Sequence, residues 1–383
     1  MNVLVIGGGM YVAGRGTSDY GTVLPALAQA SKQGLVERVT VAVRSRENAA
    51  QIAEAIIAID RRLESRLRIE TTNTLEAAFA PDASYDCAIV CLPDHAHHEW
   101  ASRVLSRGVH CLVVKPFTPT LGEARALVAL QESQALVGEV ELHKRFDEAN
   151  LVVRRAIREG RLGRIAYVSV AYSQRRQIPL RVFRSWTSRT NIFQYLAVHY
   201  VDLIYFLTGY LPRRALAVGT RGILSDQGVD TYDSVHALLE YRRPDDTHGF
   251  VATFDASWID PDNSTAMSDQ RFTIVAEHGR VDCDQKHRGV ELVTQDDGAR
   301  SVNPYFSEYL AEDDGLRFAG YGATSILRFL EDVRSVRAGE RAWRELPSGR
   351  ATFRDALPST AAVEAVNASL AAGGSWRDVD DCT

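Results

Sequence analysis

The chain has 383 residues, of which 45% are hydrophobic and 24% are charged, a globular composition that at this length predicts two domains. The net charge of -5 gives no electrostatic reason to expect nucleic acid or a membrane surface as partner. No apolar stretch approaches the roughly 20 residues of a spanning helix, and the N-terminus shows no signal-peptide pattern. Scattered cysteines without CxxC spacing predict reduced thiols and a cytoplasmic protein; they are Cys87, Cys91, Cys111, Cys283 and Cys382.

The first predicted element is a strand over residues 2–6, which runs directly into three glycines. Gly7 and Gly9 form the GxG of a dinucleotide-binding turn, where glycines let backbone amides approach a pyrophosphate at the start of a helix. We therefore assign Gly7, Gly9 and Met10 to cofactor binding. A tight structural turn would explain the two glycines almost as well.

The helix after this turn departs from the usual pattern. Val12 stands where a third glycine is expected, and an insertion over residues 13–21 delays the apolar helix pattern until Val23. The glycine turn is therefore weak evidence by itself, and its interpretation depends on the segments that follow it in the chain.

A second strand over residues 38–43 is followed by Arg44, Ser45 and Arg46. NAD-dependent enzymes place an acidic residue at this strand end to bind the ribose 2′-hydroxyl, whereas an arginine there can hold a 2′-phosphate. These residues therefore predict NADP rather than NAD as the cofactor. The alternative is a solvated start of the next helix, which we disfavour because cations are unfavourable at a helix N-terminus.

A further strand over residues 85–91 ends at Leu92 and Pro93, and three histidines follow closely. We assign Leu92, Pro93 and His97 to the cofactor cleft, and we expect the other two histidines on the surface. The histidines invite a metal hypothesis, but no set of cysteines or carboxylates completes a ligand group. We therefore predict no metal site.

The apolar run over residues 109–114 stops at Lys115, which precedes Pro116. Such a run predicts a strand buried on both faces of a parallel sheet, and the proline ends it. Ligands of open α/β sheets bind beyond the carboxyl ends of the strands, so Lys115 is placed where a cofactor and a substrate could meet. Taken alone, the motif also fits an ordinary strand-end lysine that points at water.

A loop in the second half of the chain, over residues 177–190, concentrates positive charge. It carries Arg181, Arg184 and Arg189 together with Trp186. Guanidinium groups bind phosphate and carboxylate groups well, so the loop could hold an anionic group of a substrate. It could equally consist of ordinary solvated charges, and both interpretations remain open.

The segment over residues 191–207 predicts an apolar helix with one polar stripe. Asn191, Tyr195, His199 and Asp202 follow one another at spacings of four, four and three residues, which places them on one helical face. Such side chains need water, a cavity or internal partners, because an unpaired buried polar group costs about 1–3 kcal/mol. Later segments alternate apolar and polar residues and predict an antiparallel sheet.

The order of these motifs resembles the glucose–fructose oxidoreductase and inositol dehydrogenase (Gfo/Idh/MocA) family. The matching segments are IGGG, LPDHAH, GVHCLVVKP, HKRFDEA, EGRLGRIAYVSV and HYVDLIYFLTG. The resemblance implies an α/β Rossmann N-terminal domain at residues 1–140 and an α+β C-terminal domain at residues 141–383 with an open, mostly antiparallel sheet. It also implies C-terminal helices that pack back on the Rossmann domain, and a homodimer or homotetramer formed through the sheet.

The same resemblance implies a reaction. Family members use NAD or NADP to oxidise or reduce a hydroxyl or carbonyl group, mostly on a sugar, cyclitol or nucleotide-sugar. Lys115 and His199 match the catalytic positions of the family. We further assign the following residues to substrate binding: Arg145, Trp186, Asn191 and Asp202.

The sequence departs from the family pattern at two carboxylates. Tyr195 occupies the usual aspartate position four residues before His199, and Val114 replaces the glutamate before Lys115. A phenol with a pKa of about 10 suits a proton donor better than a base at neutral pH, which favours ketone reduction by NADPH with Tyr195 as a catalytic residue. The missing carboxylates leave two alternatives open: a dinucleotide-binding sensor or regulatory protein, and a reductase of a non-sugar ligand.

Overall fold

The computed structural model describes residues 1–17, 20–65, 67–243, 248–296, 298–313 and 315–380. Cys382 and residues 18 and 19 of the predicted insertion lie outside these ranges. The chain forms two compact units. The first comprises Met1–Thr118, Gly122–Asp147 and Tyr305–Asp355, and the second comprises Pro119–Leu121, Glu148–Pro304 and Ala356–Thr383. The predicted domains are each one continuous stretch, whereas residues 305–355 belong to the first unit.

Helices and strands alternate in the first half of the chain, and strands dominate the second half. The helices are α1 (Met10–Ala13), α2 (Val23–Lys32), α3 (Arg46–Leu63), α4 (His97–Leu105), α5 (Leu121–Ser133), α6 (Glu148–Arg158), α7 (Val198–Thr208), α8 (Tyr321–Arg337) and α9 (Leu357–Ala371). The strands are β1 (Asn2–Ile6), β2 (Arg38–Ala42), β3 (Arg68–Thr72), β4 (Cys87–Val90), β5 (His110–Val114), β6 (Gly138–Glu141), β7 (Ile165–Arg175), β8 (Leu211–Thr220), β9 (Ser234–Arg242), β10 (Phe250–Asp260), β11 (Ser268–Ala276), β12 (Gly279–Asp284), β13 (Val290–Thr294), β14 (Gly298–Val302), β15 (Glu308–Glu312), β16 (Gly315–Ala319) and β17 (Arg377–Asp378).

The first unit is built on a six-stranded parallel sheet in the order β3-β2-β1-β4-β5-β6. This is the strand order of the Rossmann fold, in which ligands bind at the carboxyl edge where the order reverses. The inner strands β1, β4 and β5 are buried along nearly their whole lengths, because helices cover both faces of such a sheet. The predicted α/β Rossmann fold is confirmed.

One C-terminal helix is part of this first unit. α8 packs against α2 and buries Ile326, Phe329 and Leu330 in the hydrophobic core of the unit. The hairpin of β15 and β16 joins the same core through Phe318, and Lys32 of α2 donates to the carbonyl oxygen of Leu316 over 3.2 Å. α9, in contrast, belongs to the second unit.

The second unit is built on a seven-stranded sheet in the order β12-β11-β7-β10-β9-β8-β17. β7 and β10 pair in parallel, and the other neighbours pair antiparallel, which confirms the predicted mostly antiparallel sheet. α9 lies along β8, and the ring of Phe193 packs on Phe254 of β10 at 5.5 Å, so one face of the sheet is covered. Within the described ranges, no helix is both long and apolar enough to cross a membrane.

Candidate active site

The turn after β1 brings the backbone close to the end of β4. Gly7 has a φ of +117°, and a Cβ atom there would lie 2.0 Å from the carbonyl oxygen of Cys91, so this position requires glycine. Gly9 precedes α1, and nothing lies within 4 Å of the point where its Cβ would be. Met10 begins α1 and is partly exposed. The open backbone at Gly9 fits the pyrophosphate of a dinucleotide.

The helix after this turn is interrupted, as the sequence predicts. α1 ends at Ala13, its C-cap Gly14 has a φ of 73°, and a loop follows before α2 begins. Gly21, also at a φ of +73°, lies against the end of α1, where a Cβ atom would approach the amide nitrogen of Gly14 to 2.7 Å. Gly21 therefore packs closely against the end of α1, and the two glycines make that approach possible.

Arg44, Ser45 and Arg46 stand at the start of α3. Ser45 caps this helix, with its Oγ accepting a hydrogen bond of 3.2 Å from the amide of Asn48, and both arginines are exposed. Arg15, on the inserted loop, reaches the same turn, because its Nη1 donates to Oδ1 of Asn48 over 2.8 Å. The first turn of α3 is thus rich in guanidinium groups, which suits a phosphate. Arg15 was not predicted, because no local pattern links it to Asn48.

His97 joins two loops at the carboxyl edge of the sheet. Its ring is fully buried, with Nε2 2.7 Å from the carbonyl oxygen of Leu92 and Nδ1 2.9 Å from that of Pro116. Burial lowers the pKa of His97. The ring therefore fixes the turn at Leu92 and Pro93 to the segment after Lys115, and its contact with a cofactor stays a prediction. Among the described residues, no group of three or more His, Cys, Asp and Glu could hold a metal ion.

Lys115 directly follows β5 and is 9% exposed, so it does not point at water. Loss of hydration lowers the pKa of Lys115 to about 7, and the charges of Glu141 and Asp94 counteract this shift. An amine that titrates near neutral pH can carry a positive charge or exchange a proton under physiological conditions. Such a perturbed group at the ligand-binding edge of a sheet is a candidate for catalysis.

A second polar cluster in the first unit was missed by the motif analysis. Glu141 ends β6, the strand next to β5, and is 1% exposed. Both of its carboxylate oxygens lie 3.0 Å from Nδ1 of His143, and the hydroxyl of Tyr11 lies 3.5 Å from the same nitrogen. Burial and then the charge of Glu141 raise the pKa of Tyr11 well above its usual value. The sequence signal that could have identified this cluster is a glutamate at the end of a buried strand, just before the HKRF motif.

Three predicted substrate-binding residues are buried within their own units. Arg145 of the first unit donates from Nη1 to the carbonyl oxygen of Arg350 over 2.9 Å. Asn191 of the second unit donates from Nδ2 to Oδ1 of Asn367 over 2.7 Å, and Asp202 is buried in α7. Each therefore has a packing role, and substrate binding by these residues stays a prediction.

The predicted helix over residues 191–207 is not uniform. A π-helix spans Phe193–Ala197, and α7 begins only at Val198. The amide of Tyr195 still donates to the carbonyl oxygen of Asn191 over 2.9 Å, as in an α-helix, whereas the wider π-turn alters the regular spacing towards His199. Single π-turns in helices occur frequently at functional sites.

Tyr195 lies in this π-helix within an aromatic cluster. Its ring centroid lies 4.9 Å from that of Phe183, 6.0 Å from that of Trp186 and 5.8 Å from that of Trp258. The structure thus brings together two predicted site residues of the second unit, Tyr195 and Trp186. His199 follows in α7 and is buried.

Two parts of the chain match known protein families. Residues 1–141 match the oxidoreductase family with an NAD-binding Rossmann fold, and residues 151–282 match the GFO/IDH/MocA C-terminal domain. An uncharacterized oxidoreductase, YhhX, of Escherichia coli is 35% identical over 128 residues, which are 33% of this chain and 36% of the relative. The scyllo-inositol 2-dehydrogenase (NADP(+)) IolW of Bacillus subtilis is 26% identical over 163 residues, 42% of this chain and 44% of the relative.

These sequence alignments span less than half the length of either curated relative. The fold similarity extends much further along the chain. The crystal structure of myo-inositol 2-dehydrogenase from Lactobacillus plantarum superposes with a TM-score of 0.70 at 15% identity, over 99% of this chain and 99% of that chain. This likeness concerns the fold, and it includes both the parallel sheet and the mostly antiparallel one.

Proposed function

Because the chain belongs to the Gfo/Idh/MocA family of oxidoreductases, we propose that it transfers a hydride between NADP(H) and a carbonyl or hydroxyl carbon of a sugar, cyclitol or nucleotide-sugar. The observation that carries the proposal is the buried amine of Lys115 at the carboxyl end of β5, in the same sheet as the glycine turn after β1. Dinucleotides bind at this edge of a Rossmann sheet.

The preference for NADP(H) rests on the start of α3. Ser45 and the arginines Arg15, Arg44 and Arg46 would bind the 2′-phosphate, since guanidinium groups pair with phosphate in a bidentate manner. A similar protein, IolW, is named as an NADP(+) enzyme, which supports the same cofactor here. The remaining cofactor contacts are proposed for Gly7, Gly9, Met10, Leu92, Pro93 and His97.

The proposed catalytic residues are Lys115, Tyr195 and His199. Lys115 would bind and polarise the substrate oxygen, because an ammonium stabilises negative charge that develops there. Tyr195 or His199 would exchange the proton, and the phenol of Tyr195, as a weak acid, favours ketone reduction. When bound, the nicotinamide supplies the hydride chemistry.

The proposed substrate class follows from similar proteins and from the second unit. Two similar proteins are named for scyllo-inositol and myo-inositol, which supports a cyclic polyol or its ketone as substrate here. Trp186, beside Tyr195 in the aromatic cluster, would form one wall of the substrate site. We also propose the buried residues Arg145, Asn191 and Asp202 as substrate-binding residues.

A second copy of the chain is the proposed partner of the sheet in the second unit. On the face opposite the helices, Tyr167, Val218 and Val251 are 48%, 50% and 37% exposed. Tyr167 and Val251 pair in register on this face, and exposed apolar side chains that lie together occur at association surfaces. Light scattering after size exclusion tests the homodimer or homotetramer, and a stable monomer would contradict it. We also place the protein in the cytoplasm, in keeping with the reduced thiols of Cys87, Cys91 and Cys111.

The test of the proposed function is a turnover screen. Sugars, cyclitols and nucleotide-sugars are incubated with NADP⁺ or NAD⁺, and their keto forms with NADPH, while the absorbance of the nicotinamide is followed. The Lys115→Ala variant, prepared in the same way, controls for contaminating dehydrogenases. Turnover by the wild type alone supports the proposal. Tight NADPH binding without turnover of any substrate would instead identify a sensor or regulatory protein.

A further inference from the structure

The residue before Lys115 is apolar, but a carboxylate stands opposite it on the neighbouring strand. Val114 of β5 pairs in register with Glu141 of β6, and both are buried. Paired residues of neighbouring strands project to the same face of a sheet. Glu141 therefore lies beside the place where an acidic residue at position 114 would project.

Contacts from several elements hold the carboxylate of Glu141 in place. Besides its two contacts with Nδ1 of His143, its Oε1 accepts a hydrogen bond of 3.0 Å from the hydroxyl of Ser325 on α8. Tyr11 of α1 approaches the same imidazole. A buried carboxylate needs such partners because it has lost its hydration. The surrounding groups therefore fix the position and direction of this negative charge.

Several ionisable groups act on the amine of Lys115. The charge of Glu141 raises the pKa of Lys115 more strongly than the charge of Asp94, which is also buried. The thiol of Cys91 is neutral at physiological pH, because burial raises its pKa to about 12. The nearby ring of His97 is also buried, and burial lowers its pKa. Among the charged groups around Lys115, Glu141 thus has the largest effect on its pKa.

We propose that Glu141 is the positioning carboxylate of Lys115 and supplies from β6 the acidic side chain that Val114 does not provide on β5. The inference rests on the proposed function, because a positioning role for Glu141 presupposes that Lys115 takes part in turnover. The carboxylate offsets the loss of hydration of the ammonium, so that Lys115 remains available in its charged form at a buried site. His143 and Ser325 serve to fix the carboxylate.

The titration of Lys115 can be measured without turnover. The chain contains four lysines, Lys32, Lys115, Lys144 and Lys286, so selective isotope labelling of lysine gives few NMR signals. The Lys115→Arg variant identifies the signal of interest. We expect Glu141→Gln to lower the pKa of Lys115 by about one unit or more, as is usual when a nearby opposite charge is lost.

Two other carboxylates provide matched comparisons. Glu139 is a buried residue on the same strand as Glu141, and Glu139→Gln should leave the titration of Lys115 in place. Asp94→Asn should lower the pKa of Lys115 by less than Glu141→Gln does. A larger shift from Asp94→Asn, or no shift from Glu141→Gln, would overturn the proposal.

A second variant covers the case in which Glu141→Gln does not fold. Glu141→Asp keeps the charge but retracts it by one methylene group. The pKa of Lys115 should then fall in the same direction by a smaller amount. An unchanged titration of Lys115 in the folded aspartate variant would contradict the positioning role.

Turnover separates this inference from the proposed function. Given a substrate, the midpoint of the kcat/KM pH profile that depends on Lys115 should shift in Glu141→Gln by the same amount as the NMR titration. A shifted titration in a protein that turns over no substrate supports the pairing and counts against the oxidoreductase. If Glu141→Gln shifts the NMR titration of Lys115 but leaves the midpoint of the kcat/KM pH profile unchanged, the positioning role is contradicted.

Discussion

The backbone amide of Thr22 donates a hydrogen bond of 2.8 Å to the carbonyl oxygen of Tyr11, although a loop lies between them. This bond joins α1 to the start of α2, so the two helical pieces remain connected across the insertion. The loop also carries Arg15 to the first turn of α3, where it contacts Asn48. An irregularity of the glycine motif therefore adds a cation at the proposed position of the 2′-phosphate.

Replacing Arg15 by glutamine should weaken NADPH binding without changing NADH binding. A hydrogen bond to a charged group contributes roughly 1.5–3 kcal/mol, or roughly 10- to 100-fold in a dissociation constant. Because Arg15 is exposed, we expect the lower end of this range. Fluorescence titrations with both nucleotides measure the effect. Arg61→Gln, in the last turn of α3, is the matched control and should change neither affinity.

Arg44→Asp should have a larger effect of the same kind, since it removes a cation and adds an anion. NADPH affinity should fall by more than in Arg15→Gln. NADH affinity should be kept, because an acidic residue at this strand end can accept a hydrogen bond from the ribose 2′-hydroxyl. The same titrations compare the two nucleotides. An equal loss of both would count against a 2′-phosphate site at residues 44–46.

Lys115→Ala should abolish most turnover and spare nucleotide binding. Loss of a group that polarises the substrate or moves a proton reduces the rate by roughly 10²- to 10⁴-fold. Steady-state kinetics and an NADPH titration on the same preparation measure the two effects. The thermal midpoint of the variant checks that the buried site tolerates the truncation. Turnover close to that of the wild type would remove Lys115 from the mechanism.

Tyr195→Phe tests the phenol hydroxyl alone. The ring contacts of Tyr195 with its aromatic neighbours do not need the hydroxyl, so this aromatic packing should be kept. The value of kcat should fall by roughly 10²-fold or more when a proton donor is lost. Tyr200→Phe is the matched control, because the hydroxyl of Tyr200 donates to Gln270 within the second unit. A normal kcat in Tyr195→Phe would assign the proton transfer to His199.

Glu139 makes the stability of the fold depend on pH. It is buried in β6, and among the described residues its Oε1 has no hydrogen-bond partner. Burial, aided by the charge of Asp332, raises the pKa of Glu139 to about 8. The folded protein therefore keeps a proton that the unfolded chain releases above a pH of about 4.3. The contribution of Glu139 to the free energy of unfolding is therefore fully present below that pH and declines as the pH rises towards 8.

Glu139→Gln should remove most of this decline. Each unit between the folded and unfolded pKa corresponds to about 1.4 kcal/mol in the free energy of unfolding. Between about pH 5 and pH 9, the wild type should lose stability and the variant should change much less. Denaturant midpoints at both pH values measure the difference, with Glu54→Gln on the exposed side of α3 as control. A decline that persists in Glu139→Gln would point to another group.

Local patterns were sufficient to predict the sheet of the first unit. β1, β4 and β5 are nearly continuous apolar runs, which are typical of parallel strands because both faces are covered. The strand end at Lys115 follows from the proline after it, and the turn at Gly7 follows from a positive φ that glycine permits. Each of these features depends on residues that are neighbours in the sequence.

The π-helix within the predicted polar stripe could not be predicted, for the opposite reason. The π-helix at Phe193–Ala197 changes the spacing of the stripe, and no local pattern in the sequence marks it. Asn191 donates a hydrogen bond to Asn367, 176 residues later in the chain, so this partner could not be predicted from residues near Asn191. Packing within the second unit therefore decided the role of this side chain.

By itself, the sequence determined which chemical groups stand at the ends of the strands: a lysine after β5, arginines after β2 and glycines after β1. Only the tertiary structure decided which charges act on that lysine. The register of two parallel strands sets Glu141 opposite Val114, and burial then makes its charge effective. Electrostatic energy depends on distance in space and on exclusion of water, and neither quantity follows from separation along the chain.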